Sequence, residues 1–119
     1  MVHKDLRIEL VLGGVTFIIV GFLEAGEEVI TGDEMKRRLA ARSLRLIHGA
    51  DFEHFSRYRE DLPKELRPHL LATDQCAPEC QKETTVFEFF EDVEVWHSFW
   101  HNLCGPTWGH NVLAVCCCV

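Results

Sequence analysis

Residues 6–23 read LRIELVLGGVTFIIVGFL, and the interpretation of this stretch decides the fold. Leu6, Ile8, Leu10 and Leu12 alternate with Arg7, Glu9 and Val11, the period of a strand with one buried face. Gly13-Gly14 separates that run from Val15–Leu23, which is apolar on both faces and is therefore predicted to be the central strand of a sheet. Two glycines between apolar runs are the sequence of a tight hairpin turn, whose central residues need positive φ. The competing reading is a targeting or membrane segment. Leu10–Leu23 is the longest run free of charged residues and histidine, 14 residues, which is too short to cross a bilayer. Lys4 and Arg7 precede it as in a signal peptide, but Glu9 interrupts the approach and Glu24-Ala25-Gly26 is a poor cleavage site. The hairpin is the better reading. Without an export signal the expected compartment is the cytoplasm, where six cysteines serve as thiols or ligands rather than disulfides.

Outward from the hairpin, Thr31-Gly32-Asp33-Glu34 has the form of a capping box at a helix start. Met35, Leu39 and Leu46 fall on one side of the helix it begins, and Gly49 is a natural stop. Asp51 is placed to cap a second helix with Phe52, Phe55 and Leu62 as its apolar stripe, and Pro63 ends it. Pro63–Arg67 reads as one further helical turn. His69–Thr73 is a short strand candidate, and the polar Asp74–Lys82 a loop. Glu83–Phe90 and Val93–Trp100 are β-rich runs around the Glu91-Asp92 turn, Asn102–Gly109 is a connection, and Asn111–Val119 a last strand. The predicted fold is therefore α+β over a single domain, residues 1–119. Its order is ββ-αα-ββββ, an antiparallel sheet of about five to six strands with two helices on one face.

Several of these segments also resemble one family. Thr31-Gly32-Asp33-Glu34-Met35 has its T-G-x-x-M helix start, and Leu62-Pro63-Lys64-Glu65-Leu66-Arg67 has its P-E-E-L-R-type segment. Trp96, Phe99, Trp100, Trp108-Gly109-His110-Asn111 and Leu113 resemble its Trp-rich β-meander. It is a family of short uncharacterised bacterial proteins, and the likeness spans about residues 15–115. The chain departs from it at Cys104 and Cys116–Cys118, where the family carries charged residues. The resemblance implies the α+β layout and brings no activity.

At 119 residues, with 47% hydrophobic and 26% charged residues, the chain is long enough to bury a core without staples. Its net charge of −7 is uneven: residues 76–119 hold six acids and a single base, Lys82. That surface repels phosphate backbones, which excludes general nucleic-acid binding and suits a basic partner.

All six cysteines lie in the same segment. Cys76-x3-Cys80 with Cys104 and His110 is the candidate ligand set for a structural zinc ion, since zinc takes four Cys or His ligands in a tetrahedron. His97 and His101 share a face of a strand but stand roughly 13 Å apart there, too far for one ion. Cys104, in a Gly-Pro loop six residues before His110, is the candidate nucleophile of a thiol-dependent enzyme. Cys116-Cys117-Cys118-Val119 fits a prenylation box in form but lacks a basic stretch before it. The plainer reading makes Cys116 and Cys118 continue the face of Val112 and Ala114, with Cys117 on that of Leu113 and Val115. Arg38, Arg42 and Arg45 form a basic helix face, either solvated or anion-binding. With no convincing catalytic set, the leading expectation is a non-enzymatic protein-binding or regulatory module without cofactor or membrane association. Trp96, Trp100 and Trp108 are its candidate anchors, and the partner is an unidentified protein.

Overall fold

A computed structural model describes residues 2–103 and 105–118. Nine strands and two α-helices run in the order β1 (Arg7–Leu12), β2 (Val15–Val20), β3 (Val29–Ile30), α1 (Gly32–Ala41), β4 (Leu44–Leu46), α2 (Gly49–Arg57), β5 (Leu70–Ala77), β6 (Cys80–Phe90), β7 (Val95–Asn102), β8 (Trp108–Gly109) and β9 (Val112–Cys118). Seven strands make one mixed sheet in the order β1-β2-β9-β5-β6-β7, with β4 also paired to β9, and β3 and β8 form a separate ribbon. No helix among the described residues is long and apolar enough to cross a membrane.

The Gly-Gly hairpin forms as its sequence predicts. Leu12 pairs with Val15, and Gly13 and Gly14 hold φ of 51° and 83°, the left-handed pair that a type I′ turn requires. At Gly13 a Cβ would also run into the Tyr58 ring.

The sheet differs from expectation in three respects. It has seven strands rather than five or six, it is not wholly antiparallel, and its centre is β9 rather than β2. β9 runs antiparallel to β2 and parallel to β5, pairing Leu70 with Val112 and Ala72 with Ala114. From Val112 to Cys116 every residue of β9 is buried, and a strand apolar on both faces takes the interior position. Apolar pattern specifies that position. It does not specify strand direction.

The two helices also lie on opposite faces, not one. Ile18, Val20, Ala114 and Cys116 pack with Met35 and Leu39 of α1. Their alternate neighbours Phe17, Ile19, Leu113 and Val115 pack with Phe55 of α2. Successive strand residues point to opposite sides, so each helix covers one face. α1 is shorter than its stripe suggested. Thr31 Oγ1 caps it by accepting from Glu34 N at 3.2 Å, but Ser43 at φ 58° ends it, and Leu44–Leu46 becomes a strand. A spacing of seven puts Leu39 and Leu46 on one side of a helix, yet Leu46 joins the same cluster from β4. α2 starts at Gly49, whose φ of 60° opens a helix instead of closing one.

Asp74–Lys82, predicted as a loop, belongs to the long β5–β6 hairpin, which turns at Pro78-Glu79. The register shifts between Ala72 and Cys76, so β5 bulges away from its partner. The bulge lets β4 take over the edge of β9, pairing Leu44–Leu46 with Cys118–Cys116, while Asp74 N donates to Ile47 O at 2.8 Å. Three buried threonines satisfy the backbone that the bulge leaves unpaired. Thr73 Oγ1 donates to Thr85 O at 2.7 Å and accepts from Gln75 N at 3.2 Å. Thr84 Oγ1 donates to Thr73 O at 2.6 Å, and Thr85 Oγ1 to Gln75 O at 2.9 Å. Thr73→Val keeps the shape and removes the hydroxyl, so it is expected to cost about 1–3 kcal/mol in a urea titration. A loss under about 0.5 kcal/mol would show that the hydroxyl is dispensable.

His3 fastens the amino-terminal segment to the sheet. Phe22 N and Leu23 N both donate to its Nδ1 at 3.0 Å, so the ring proton sits on Nε2, which donates to Val112 O at 2.9 Å. Gly21 allows this approach, since a Cβ there would strike His3 O. Burial, aided by the neighbouring His110 and His69, holds the His3 pKa below 6.5 against the opposing bond to Val112. Protonation would place a hydrogen on Nδ1 facing two donors. His3 therefore contributes stability that is fully present above pH 6.5 and is lost as pH falls through its lowered folded pKa. Urea titrations at pH 8, 6.5 and 5 should show that decline in the wild type and a shallower one in His3→Ala. Equal slopes in both proteins would contradict the assignment.

Candidate functional site

The predicted metal ligands do not come together. Cys76 and Cys80 flank the turn of the β5–β6 hairpin, where the Cys76 thiol points at Gln81 O at 3.6 Å. His110 stands near the start of β9, beside the start of β5, six residues and roughly 20 Å of strand away from Cys76. Its Nε2 lies 2.9 Å from Glu27 O, and its ring meets His3 edge-on at 5.5 Å. Cys104, named both as zinc ligand and as nucleophile, lies outside the described residues. Among the described residues no three His, Cys, Asp or Glu side chains group closely enough to hold an ion. His97 and His101 are both on β7, as the strand reading required. His97 packs on Phe90 at 4.4 Å, while His101 lies 3.0 Å from Thr107 Oγ1 and against Trp108.

Of the terminal cysteines, Cys116 and Cys117 are packing residues and Cys118 is not. Cys116 is buried in the cluster under α1, and Cys117 packs against the one under α2, as the alternation predicts. Burial pushes the Cys116 thiol up to about 12 and also raises Cys117, whose thiol lies 3.5 Å from Asp51 Oδ2. Cys118 is exposed. All five described cysteines are free thiols.

The basic helix face is occupied from within. A cleft of about 620 Å³ beside α1 is lined by Lys4, Asp5, Glu24, Arg37, Arg38 and Arg42. Arg38 binds Glu27 through both terminal nitrogens, at 2.6 and 2.8 Å, and Glu34 through Nε at 2.7 Å. The Arg38 bonds hold Glu27 at about 2, and those from Arg37 and Arg38 hold Glu34 at about 2. Arg42 donates to Gly21 O at 3.0 Å, and Lys4 pairs with Glu24 at 2.8 Å. Arg45 is on β4 rather than on the helix, paired with Asp51 at 3.3 Å. These cations brace α1 and β4 against the sheet and leave little unspent charge for an anion.

Of the three tryptophans, Trp96 and Trp108 are 2% and 0% exposed, while Trp100 is 57% exposed. Trp108 is a core residue whose Nε1 donates to Leu103 O at 3.2 Å. Trp100 sits on β7, one end of the path β1-β2-β9-β5-β6-β7. The other end, β1, carries Arg7 and Glu9, paired at 3.0 Å. β7 reads VWHSFWHN over eight residues, without Lys, Arg, Asp, Glu or Pro. Edge strands are ordinarily blunted by such residues because their free N–H and C=O groups template another strand. Trp100 lines two cavities, one of about 210 Å³ with Ala77, Pro78, Glu79, Cys80 and Glu83, and one of about 360 Å³ with Phe52, Thr85, Ser98 and Phe99. Phe90 and Val93, at the other end of the β6–β7 hairpin, are 43% and 59% exposed.

The surrounding charges are unspent. Glu79, Glu83, Glu88, Glu91, Asp92 and Glu94 form no ion pair among the described residues, whereas carboxylates of the helical half pair with Lys4, Lys36, Arg37, Arg38 and Arg45. Sequence reasoning singled out Trp100 but neither Glu79 nor Glu83. The available signal was the acid excess after residue 75 with Lys82 alone to balance it. The outward N–H of Trp96 donates to Glu60 Oε1 at 3.3 Å, and its C=O accepts from Arg59 Nε at 3.1 Å. The arrangement therefore offers a hydrogen-bonding edge around Ser98 and Trp100, with an exposed indole and negative charge. Among the described residues it gathers no nucleophile, base and oxyanion donor.

Alkylation under native conditions, followed by mass spectrometry, should modify Cys118 first and Cys116 only after unfolding. Native modification of Cys116 at the rate of Cys118 would show that β9 is not the packed strand described.

No family model matches the chain, and no curated protein or solved structure similar to it is found, so its own geometry carries the functional argument.

Proposed function

We propose that this protein is a non-enzymatic protein-binding module that takes an extended segment of its partner as an added strand along β7. The observation behind the reading is the state of that edge past Trp96, whose backbone Arg59 and Glu60 already bind: a strand without Lys, Arg, Asp, Glu or Pro that carries Trp100 more than half exposed. Strand addition draws affinity from main-chain hydrogen bonds and specificity from the side-chain sites alternating along the edge. Trp100 supplies one such site, and an exposed aromatic anchor is the kind of residue that dominates interface energetics. Phe90 and Val93 extend the apolar surface toward the hairpin tip. Five free thiols fit work in a reducing compartment, and the cytoplasm is the proposed location.

Selection from a displayed library of random peptides tests this reading directly. Sequences with alternating β-branched residues should be enriched on the wild type and lost on Trp100→Lys, which adds a charge to the edge at an exposed position. In hydrogen exchange the selected peptides should slow the outward amides of Ser98 and Trp100 and leave those of β1 unchanged. Peptides that bind without protecting β7, or no enrichment over a blank support, would overturn the proposal.

A further inference from the structure

Resting on the reading of β7 as a docking edge, we infer that the added strand is basic and that the Trp100–Glu79–Glu83 cavity receives one of its cationic side chains. Three observations lead there. First, the cavity of about 210 Å³ brings an indole and two carboxylates together, with Ala77, Pro78 and Cys80 as its apolar floor. Trp100 pairs with Thr85 across β6–β7, so Glu83 is the diagonal neighbour of Trp100 on the same face. A guanidinium or ammonium is attracted to the face of an indole, and carboxylates beside the ring add charge of the matching sign.

Second, neither carboxylate is engaged. Glu79 and Glu83 have no ion pair among the described residues, although Lys82 stands between them in sequence. Thr84, next to Glu83, is buried and its hydroxyl is bonded to Thr73 O at 2.6 Å, which ties that part of β6 to β5. Third, the wider surface has an excess of one sign. Glu88, Glu91, Asp92 and Glu94 on the β6–β7 hairpin join Glu79 and Glu83 as carboxylates without an ion pair among the described residues. They outnumber Lys82 on β6, Arg59 at Trp96 O and Arg67 over the Phe89 ring.

That field also decides between occupants. A second copy joined edge to edge through β7 would bring an equally acidic surface toward this one, and surfaces of like sign repel. A neutral strand gains nothing from the field. A basic strand is drawn toward it and held by it. A strand paired on the outer side of β7 runs about 4.8 Å away, so an Arg on the Trp100 face lies across the indole toward Glu83.

The test uses a short labelled peptide alternating Thr and Val with one central Arg, and the same peptide with Gln in its place, titrated against the whole protein by fluorescence anisotropy. The Arg peptide is expected to bind roughly fivefold tighter than the Gln peptide. Its advantage should shrink as salt rises and disappear in the double variant Glu79→Gln/Glu83→Gln. The Glu28→Gln control, at an exposed carboxylate away from the hairpin, should keep it. Hydrogen exchange on the same complexes separates the two claims. Equal affinity for both peptides, with β7 amides protected, overturns the cation site and leaves the docking edge standing. Protection of β7 by neither peptide overturns both. A concentration-dependent dimer that protects the outward amides of Ser98 and Trp100 in sedimentation and exchange measurements, without peptide, would put a second copy on the edge and overturn the inference.

Discussion

β9 cannot leave any residue from Val112 to Cys116 in water, and the rest of the sheet is arranged around that constraint. Alternate residues of a strand face opposite ways, so burying all of them needs a layer on each side. α1 supplies one layer and α2 the other, which is why two helices adjacent in the chain separate to opposite faces. Interior burial also leaves no water for the backbone, so both hydrogen-bonding sides of β9 must be filled. β2 fills one side. The other is shared, first by β5 and then by β4, and the handover is made by the bulge at Thr73–Gln75. The threonine hydroxyls around that bulge are the local consequence of a demand made by the last strand of the chain. Because β5 is inside, β6 and then β7 are stacked outward from it, and β7 is left at the rim.

Much of this was legible where a residue's role is local. Gly13-Gly14 needs nothing beyond its own dihedral angles to make a hairpin, and Thr31 finds the amide it caps three residues away. The alternation in the Cys116–Cys118 run likewise assigned Cys116 and Cys117 to opposite faces without knowledge of the partners. Legibility failed where two geometries share a spacing. Leu39 and Leu46 are seven apart, which suits two turns of helix, and the break came from Ser43 adopting a left-handed φ that its side chain does not advertise. It failed again where the partner is distant. A polar stretch such as Asp74–Lys82 reads as loop until β6 is seen to pair with it, and the parallel direction of β5 against β9 depends on the whole route taken between them. The candidate site was half visible for the same reason. Trp100 could be named from composition, but β7 is an edge only because β9 is the centre.

The charge distribution follows the same division between halves. In the helical half, ion pairs are short-range and directed, with Arg38 alone joining α1 to Glu27 in the preceding loop and to Glu34 on its own turn. That grouping ties the helix to the end of β2, since Arg38 also donates to Phe22 O at 3.0 Å. Such pairs cancel one another at a distance, so the basic face seen in the sequence is not a basic surface in the fold. The hairpin half contributes Lys82 alone, and although Arg59 and Arg67 reach it from outside, at Trp96 O and over the Phe89 ring, an acid excess remains. An imbalance spread over the sequence thus becomes a concentrated negative surface once β6 and β7 pair.

An open edge and a like-charged surface act together. Uncharged, aromatic edge strands are prone to pair with copies of themselves, and β7 has none of the prolines or charges within it that would prevent this. Carboxylates placed around the edge, rather than on it, leave the hydrogen-bonding groups usable while repelling an identical edge. Their reach is set by screening, about 8 Å at physiological ionic strength, which spans the strand next door and little more. Those at the hairpin tip, Glu91, Asp92 and Glu94, therefore act on an approaching chain as a field, raising the encounter rate of basic segments. Glu79 and Glu83 differ in sharing a cavity with an aromatic ring, where a cation loses part of its water and the attraction acts at contact distance. Steering and holding are thereby assigned to carboxylates at opposite ends of β6, and only the holding pair depends on the position of Trp100.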